Sequence, residues 1–231
     1  MTLNSAELGA ELTILVPMLG RPHRVRPLLE SIWQTVPLAE VVWCCTPTDG
    51  DVIAEVDRAS RESTLTCRRL DVRYARGDYA RKINAGYQAT DRPLLLTAAA
   101  DLRFHPGWLG AALAELVVGI GVVGTNDLGS PRVMAGDHAT HSVVTRWYAD
   151  TFGTIDQPGQ VLHEGYWHEY VDDEFVQTAK VRGAWAFAAG ARVEHLHPDW
   201  DKAPTDELYE ARPARMRQGR RLFRTREHLW T

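Results

Sequence analysis

LTILVPMLGRP, residues 12–22, decides how the rest of the chain is read. Leu12 to Val16 reads as a short buried strand, with Thr13 its one polar residue, Pro17 ends it, and Gly20-Arg21-Pro22 makes a loop. Val25, Leu28, Leu29 and Ile32 then recur at helical spacing and predict a helix. A strand that is apolar on both faces, followed by a loop and an amphipathic helix, is the unit from which parallel sheets with helices on both sides are built.

The unit recurs downstream. Val41 to Cys45 is a second apolar run, closed by the turn-rich Thr46-Pro47-Thr48-Asp49-Gly50, and Val52, Ile53 and Val56 mark a short helix. Leu70 to Tyr74 alternates as a third strand, and Asp78 to Ala89 reads as a helix with Ile83 and Tyr87 inward. Leu94 to Ala98 is a fourth strand. Pro106 stands at a favoured first-turn position for a helix carrying Leu109, Ala112, Leu113 and Leu116 on one face, and Val122 to Thr125 is a further strand. This βαβ rhythm predicts a largely parallel sheet covered by helices. Such sheets bind ligands at the carboxyl ends of their strands, so the loops after Val16, Cys45, Tyr74 and Ala98 are predicted to converge on one pocket. Those loops hold Arg21, Asp49, Asp51, Gly77, Asp78 and Asp101.

The second half is less regular. Ser142 to Arg146 reads as a strand, and Tyr166 to Tyr170 as an aromatic loop containing a histidine. Asp172 to Arg182 reads as a helix with Asp172, Asp173 and Glu174 in its first turn and Gly183 as its stop. Ala184 to Leu196 is extended and runs into His195-Leu196-His197-Pro198.

Composition sets the class. The chain has 231 residues, 45% hydrophobic and 24% charged, enough for one domain with a sizeable core plus a short appendage. No apolar run reaches the length of a membrane span, and the polar, acidic segment from Met1 to Leu12 does not read as a secretory signal. Three cysteines, two of them adjacent (Cys44, Cys45, with Cys67 apart), argue against a disulfide framework and for a reducing, cytoplasmic setting. The net charge of −4 argues against nucleic acid as a partner. Seven arginines nevertheless crowd residues 212–226, interleaved with apolar side chains whose helical spacing predicts packing onto the domain or against a second subunit, which leaves room for a homodimer.

Four segments resemble, in order, the motifs of family 2 GT-A glycosyltransferases. LTILVPMLGRP is similar to that family's opening strand and V-P loop. RGDYARKINAGYQAT (76–90) resembles its Gly, small residue, Asn and Gly before a helix. PLLLTAAADLRFHPGWL (93–109) is similar to the strand carrying the metal-binding Asp-x-Asp. VDDEFVQTAKVRGAWAFAAGARVEHLHP (171–198) resembles the acidic helix, its Gly turn and the strand ending in histidine. Together they span residues 11–198. The resemblance implies a GT-A (Rossmann-like), mostly parallel α/β sheet flanked by helices. The transferase domain would occupy residues 1–200, with a basic, aromatic, helical C-terminal extension over 201–231. The sequence departs from the pattern at the Asp-x-Asp, which here is Ala99-Ala100-Asp101, and at the acidic helix, where Glu174 replaces the second Asp.

The implied activity is transfer of a hexose from a nucleoside-diphosphate-sugar donor to an acceptor hydroxyl, with inversion. The acceptor class stays open between a glycan, a protein and a small molecule. A departing diphosphate needs a divalent cation, Mn²⁺ or Mg²⁺, held by hard oxygen ligands. Asp101 is the candidate carboxylate, with His197 or His195 completing the shell and favouring Mn²⁺. The alternative is that Asp101 caps a turn and the histidines alternate across a strand. Asp172, then Asp173, is the candidate base for the acceptor hydroxyl. Equally, three acids at a helix N-terminus can serve only as dipole complements. The aromatics Tyr166, Trp167 and Tyr170 favour a site, since sugars pack on aromatic faces, although a core role accounts for them too. For the nucleotide, Pro17, Met18 and Arg21 are candidates for base and ribose, Asp49 or Asp51 for the base, Gly77 for close backbone approach, and Arg81, Lys82 and Lys202 for the diphosphate, with an exposed helix face (Arg81, Lys82) or solvated surface (Lys202) as the alternative.

Two rival classes remain. A metal-dependent hydrolase can be built from His138-x-x-His141, His195-x-His197 and Asp172-Asp173. The incomplete Asp-x-Asp is compatible with a non-catalytic nucleotide-sugar binding protein.

Overall fold

The computed structural model of the chain describes residues 8–230; residues 1–7, within the polar N-terminal segment, and residue 231 lie outside the described residues. Eight strands form one sheet: β1 (Leu12–Pro17), β2 (Glu40–Cys45), β3 (Thr66–Asp71), β4 (Leu94–Thr97), β5 (Leu102–Phe104), β6 (Val122–Asn126), β7 (Ser142–Thr145) and β8 (Trp185–His195). Their order across the sheet is β3-β2-β1-β4-β7-β6-β8-β5. Strands β3, β2, β1 and β4 are mutually parallel, as are β6 and β8. Strand β7 runs antiparallel between β4 and β6, and β5 runs antiparallel along β8. The sheet is therefore mostly parallel, as the βαβ rhythm predicts.

Burial explains the sequence of each strand. In β1, Leu12 through Val16 are fully buried, because helices cover both faces. Alternation along the strand splits the core in two: Ile14 and Val16 face the cluster under α1 (Val25–Thr35) and α2 (Gly50–Glu62), while Leu15 faces the cluster under α3 (Asp78–Gln88). The predicted inward residues hold: Val25, Leu28, Leu29 and Ile32 are buried in α1, and Ile83 and Tyr87 in α3. Strand β3 is the outer edge, half exposed and carrying Arg68 and Arg69, which blunt it against pairing with another chain.

The helix expected to be short around Val52–Val56 runs over Gly50–Glu62, and three further elements depart from expectation. The third strand is Thr66–Asp71 rather than Leu70–Tyr74, because its register is set by pairing with β2 and not by its own weak alternation. Strand β5 was not anticipated; three residues are too few to display a period, and its pairing partner lies at residues 193–195. The helix after Pro106 begins two residues later, as α4 (Trp108–Ala114), behind Gly107 in a left-handed conformation.

Short helices α5 (Pro131–Met134) and α6 (Arg146–Thr151) precede α7 (Val171–Val181), which stops before Gly183 (φ +65°) as the sequence suggests. The tail forms α8 (Glu207–Glu210) and α9 (Arg212–Arg226), ending in a 3₁₀ turn, Glu227–Trp230. Its aromatics dock on the sheet domain: Phe223 stacks on Trp230, and the Trp230 indole donates to Thr178 Oγ1 at 3.0 Å. Gly219 lets α9 approach closely, since a Cβ there would lie 2.3 Å from the carbonyl oxygen of Glu169. Among the described residues no helix is long and apolar enough to cross a membrane, and all three cysteines are free.

Candidate active site

The carboxyl ends of β1, β4, β6 and β8 and the amino end of the reversed β7 meet at one edge of the sheet, where they line a cleft of about 580 Å³. Asp101 and Asp172 lie in the same cleft, so two carboxylates 71 positions apart in sequence share one cavity.

On one wall, Asp101 follows β4 and is 4% exposed. Its Oδ2 accepts from Arg21 Nη1 at 2.9 Å and from the Tyr209 hydroxyl at 2.7 Å, and its Oδ1 lies 3.5 Å from His195 Nε2. Burial alone would raise the carboxyl, but His195, Tyr209 and Arg21 outweigh it and hold it well below the usual carboxylate range. Arg21 sits in a left-handed backbone conformation (φ +60°), rare for a side-chain-bearing residue, in the tight turn that the P-M-L-G loop must make after β1. Its guanidinium also grips Asp206 of the tail through two bonds, 2.7 and 2.9 Å, and lies 4.6 Å over the Tyr209 ring.

On the facing wall, α7 presents Asp172 and Asp173 in its first turn, behind Tyr170, whose φ of +72° is again unusual for a bulky residue. His138 Nε2 lies 3.1 Å from Asp172 Oδ2, and Arg132 donates to Asp173 at 2.9 Å. The two acids are driven apart. Burial opposes ionisation of Asp172, but the His138 bond and the backbone N–H groups of the helix start hold its carboxyl below the ordinary value. Burial and the neighbouring Asp172 charge raise Asp173. Asp172 is thus the member of the pair that stays ionised. His138, whose burial would lower it, is instead raised by Asp172.

The sequence candidates distribute unevenly over this geometry. Pro17, Met18, Arg21, Asp101, Asp172, Asp173, His195 and His197 line the cleft. Asp49 stands behind it and accepts from the backbone N–H of Gly20 at 2.6 Å, fastening the loop that carries Arg21. Gly77 is also behind it: a Cβ there would sit 2.3 Å from the Glu164 carbonyl oxygen, so the glycine serves the crossing of two backbones. Lys82 is fully buried and held by Met18 O, Thr46 Oγ1 and Asp78, which leaves its ammonium no route to a diphosphate. Lys202 is turned to Glu194 and the Leu128 carbonyl, at 2.8 and 2.9 Å. Glu174 faces inward, bonded to the Tyr166 hydroxyl and to Arg226, so the acidic cluster contributes two carboxylates to the cleft and not three. Tyr166 belongs to the core, whereas Trp167 and Tyr170 line the cleft.

For a divalent cation, Asp101 and His195 supply the oxygen and imidazole donors expected of a Mn²⁺ site, adjacent and on the cleft wall. His197 is less available, since its Nδ1 accepts from the Asp199 N–H at 3.0 Å and its ring packs edge-on to Tyr209. A second donor group is His138, Asp172 and Asp173, with ligand atoms within 4.8 Å of one another. Of the histidines in the hydrolase reading, His141 and His195 and then His195 and His197 are ring neighbours, with centroids 5.3 and 5.0 Å apart, but among the described residues only His138, with Asp172 and Asp173, joins a donor group of three.

Sequence reasoning missed Asp206 and Tyr209 altogether. They reach the cleft because the tail folds back; its apolar spacing predicts packing onto the domain, but nothing local in the sequence signals that these two side chains meet Asp101 and Arg21.

No protein-family model and no curated protein matches the chain. Solved structures do. A mannosyltransferase from Pyrobaculum calidifontis, solved with GDP-Man and Mn²⁺, superposes with a TM-score of 0.64 at 14% identity, over 89% of this chain and 60% of that one. Glucosyl-3-phosphoglycerate synthase from Mycobacterium tuberculosis, solved with Mn²⁺, UDP and glucosyl-3-phosphoglycerate, gives 0.61 at 15% identity, over 94% of this chain and 81% of that one. The chain has the GT-A glycosyltransferase fold. Within the GT-A fold, the cleft between Asp101 and Asp172 lies at the carboxyl edge of the sheet, where open α/β sheets bind their ligands. The chain spans 60% of the length of the mannosyltransferase, and at these identities the likeness is one of fold.

Proposed function

We propose that this chain is a nucleotide-sugar-dependent glycosyltransferase that moves a hexose from a nucleoside-diphosphate donor to an acceptor hydroxyl with inversion. The observation that carries the reading is the pairing of Asp101 and an ionised Asp172 on opposite walls of one cleft in a GT-A sheet. The mannosyltransferase and the synthase, both solved with Mn²⁺ and a nucleotide or nucleotide sugar, support it.

Asp172 takes the proton of the acceptor hydroxyl as that oxygen attacks the anomeric carbon. The bond from that carbon to the diphosphate breaks on the opposite side, and its electron pair leaves with the diphosphate. His138 holds Asp172 in position and favours its charged form. Asp101 and His195 would hold a divalent cation, which when bound supplies Lewis-acid neutralisation of the leaving diphosphate. Arg21, once released from Asp206, is placed to reinforce that neutralisation. Trp167 and Tyr170 offer aromatic faces to a sugar, and the acceptor is a glycan, a protein or a small molecule.

A thermal-shift screen of nucleoside diphosphates with and without Mn²⁺ tests the reading, because a ligand that binds the native state raises its melting temperature. A Mn²⁺-dependent rise with at least one diphosphate, and slow release of that diphosphate from its sugar nucleotide, is the expected result. No shift with any nucleotide sinks the proposal.

A further inference from the structure

In the cleft that both carboxylates line, the Nε2 of His141 is a buried polar atom without a hydrogen-bond partner among the described residues. His141 directly precedes β7, is 3% exposed, and its ring lines the cleft. Its Nδ1 lies 2.9 Å from the carbonyl oxygen of Thr97. A carbonyl only accepts, so Nδ1 carries the proton and Nε2 carries a lone pair. That Nε2 is buried and has no hydrogen-bond partner among the described residues. The backbone is pinned as well: His141 O accepts from Thr125 N at 3.0 Å and from Thr125 Oγ1 at 2.9 Å, which ties the residue to β6 while its ring is tied to β4. The ring lies edge-on to His195, with centroids 5.3 Å apart, and is within electrostatic reach of both Asp101 and Asp172.

We propose that His141 determines donor specificity: its Nε2 accepts a hydrogen bond from a hydroxyl of the sugar being transferred. The inference rests on the transferase reading above. Three arguments select a hydroxyl. A locked lone pair repels the oxygens of a diphosphate or carboxylate, which offer no proton. A cation would need several ligand atoms gathered around it, and His141 is absent from the one donor group of three whose atoms lie within 4.8 Å of one another among the described residues. In-line attack requires the anomeric sugar to lie between the leaving diphosphate, on the Asp101 side, and the base, Asp172, and the His141 ring lines that same cleft within electrostatic reach of both carboxylates. A buried acceptor left unmade is costly, so a hydroxyl that satisfies it gains more than the same bond would in water.

The test uses the intact protein labelled with ¹⁵N-histidine, the His141 resonance being assigned with His141→Gln. Spectra are recorded with Mg²⁺ alone, then with UDP or GDP, then with UDP-glucose, GDP-mannose and a panel of other nucleotide hexoses. The expected result is a shift of His141 Nε2 with a bound nucleotide hexose and not with its diphosphate or with Mg²⁺ alone. In parallel, His141→Phe should bind that nucleotide hexose about tenfold more weakly while keeping its affinity for the diphosphate. A deoxy-sugar donor lacking the bonded hydroxyl should abolish this difference between wild type and variant. A full shift with Mg²⁺ alone makes His141 a metal ligand and overturns the proposal, as does a full shift with the diphosphate. An unmoved Nε2 in a protein that binds a nucleotide hexose also overturns it. Failure to bind any nucleotide or nucleotide sugar removes the transferase reading itself and this inference with it. If His141→Phe does not fold, the wild-type spectra alone decide.

Discussion

The two walls of the cleft are held in opposite ways. Asp101 is enclosed by Arg21, Tyr209 and His195, partners drawn from the loop after β1, from a tail helix 108 positions away and from the end of β8. Asp172 has one side-chain partner, His138, and otherwise leans on the first turn of its own helix. The first is a buried charge balanced by long-range contacts, so a change there disturbs the fold as well as the site. The second is a charge built locally, with a carboxylate oxygen left to take a proton. Function and stability are therefore expected to separate between the walls.

Asp172→Asn should produce the largest functional effect. It keeps the shape and removes the base, so the initial rate of diphosphate release in the presence of acceptor should fall by about 10²–10⁴-fold, with little change in melting temperature. Activity within tenfold of wild type would transfer the role to Asp173 and break the contrast.

Asp101→Ala should instead be costly to stability. Arg21 keeps Asp206, but the Tyr209 hydroxyl loses its acceptor and a buried guanidinium loses a counter-charge; the expected loss is about 2–3 kcal/mol by urea denaturation. The Mn²⁺-dependent part of any nucleotide shift should vanish with it. An equal stability loss in Asp172→Ala would erase the difference between the walls.

Acid should act on the cleft through its buried histidines. Burial pushes His141 and His197 down to about 4 from an ordinary value of 6.5. The unfolded chain then binds more protons than the native one between these values, so stability rises with pH across that window. Melting temperature should fall as pH drops from 6.5 towards 4, and His141→Gln should flatten the slope. A slope unchanged in that variant would show that His141 is already protonated in the native state.

Tyr209→Phe is the mildest probe. It removes one of the two donors to Asp101 Oδ2 and leaves Arg21 in place, so Mn²⁺ with nucleoside diphosphate should bind severalfold more tightly by calorimetry, at a stability cost of about 1 kcal/mol. Weaker binding would mean that the hydroxyl belongs to the ligand site and does not compete with it.

Legibility in the sequence follows the same division. Strand β1 and helix α1 could be read from LTILVP and from Val25, Leu28, Leu29 and Ile32, because a fully buried strand and a one-sided helix each write their burial into a short window. The convergence of Arg21 and Asp101 on one cleft followed from the parallel βαβ reading, since the loops at one edge of such a sheet are neighbours whatever their separation in the chain, whereas Asp172 was a candidate through the family resemblance. Lys82 misled for a physical reason: an ammonium in the first turns of a helix near a predicted ligand site looks available, and only coordinates reveal that three oxygens already hold it. Glu174 misled in the same way, its neighbours Tyr166 and Arg226 lying 8 and 52 positions away.

The sequence by itself determined the layered α/β sheet and the edge at which ligands gather. These depend on local periodicity and on the fixed handedness of parallel connections, which any stretch of chain carries within itself. Tertiary structure alone decided which charges are free and which are occupied, the reach of Asp206 and Tyr209 into the cleft, and the unpartnered Nε2 of His141. Those outcomes depend on which distant side chains meet, and a pairing across a hundred residues leaves no mark in the local pattern of either partner.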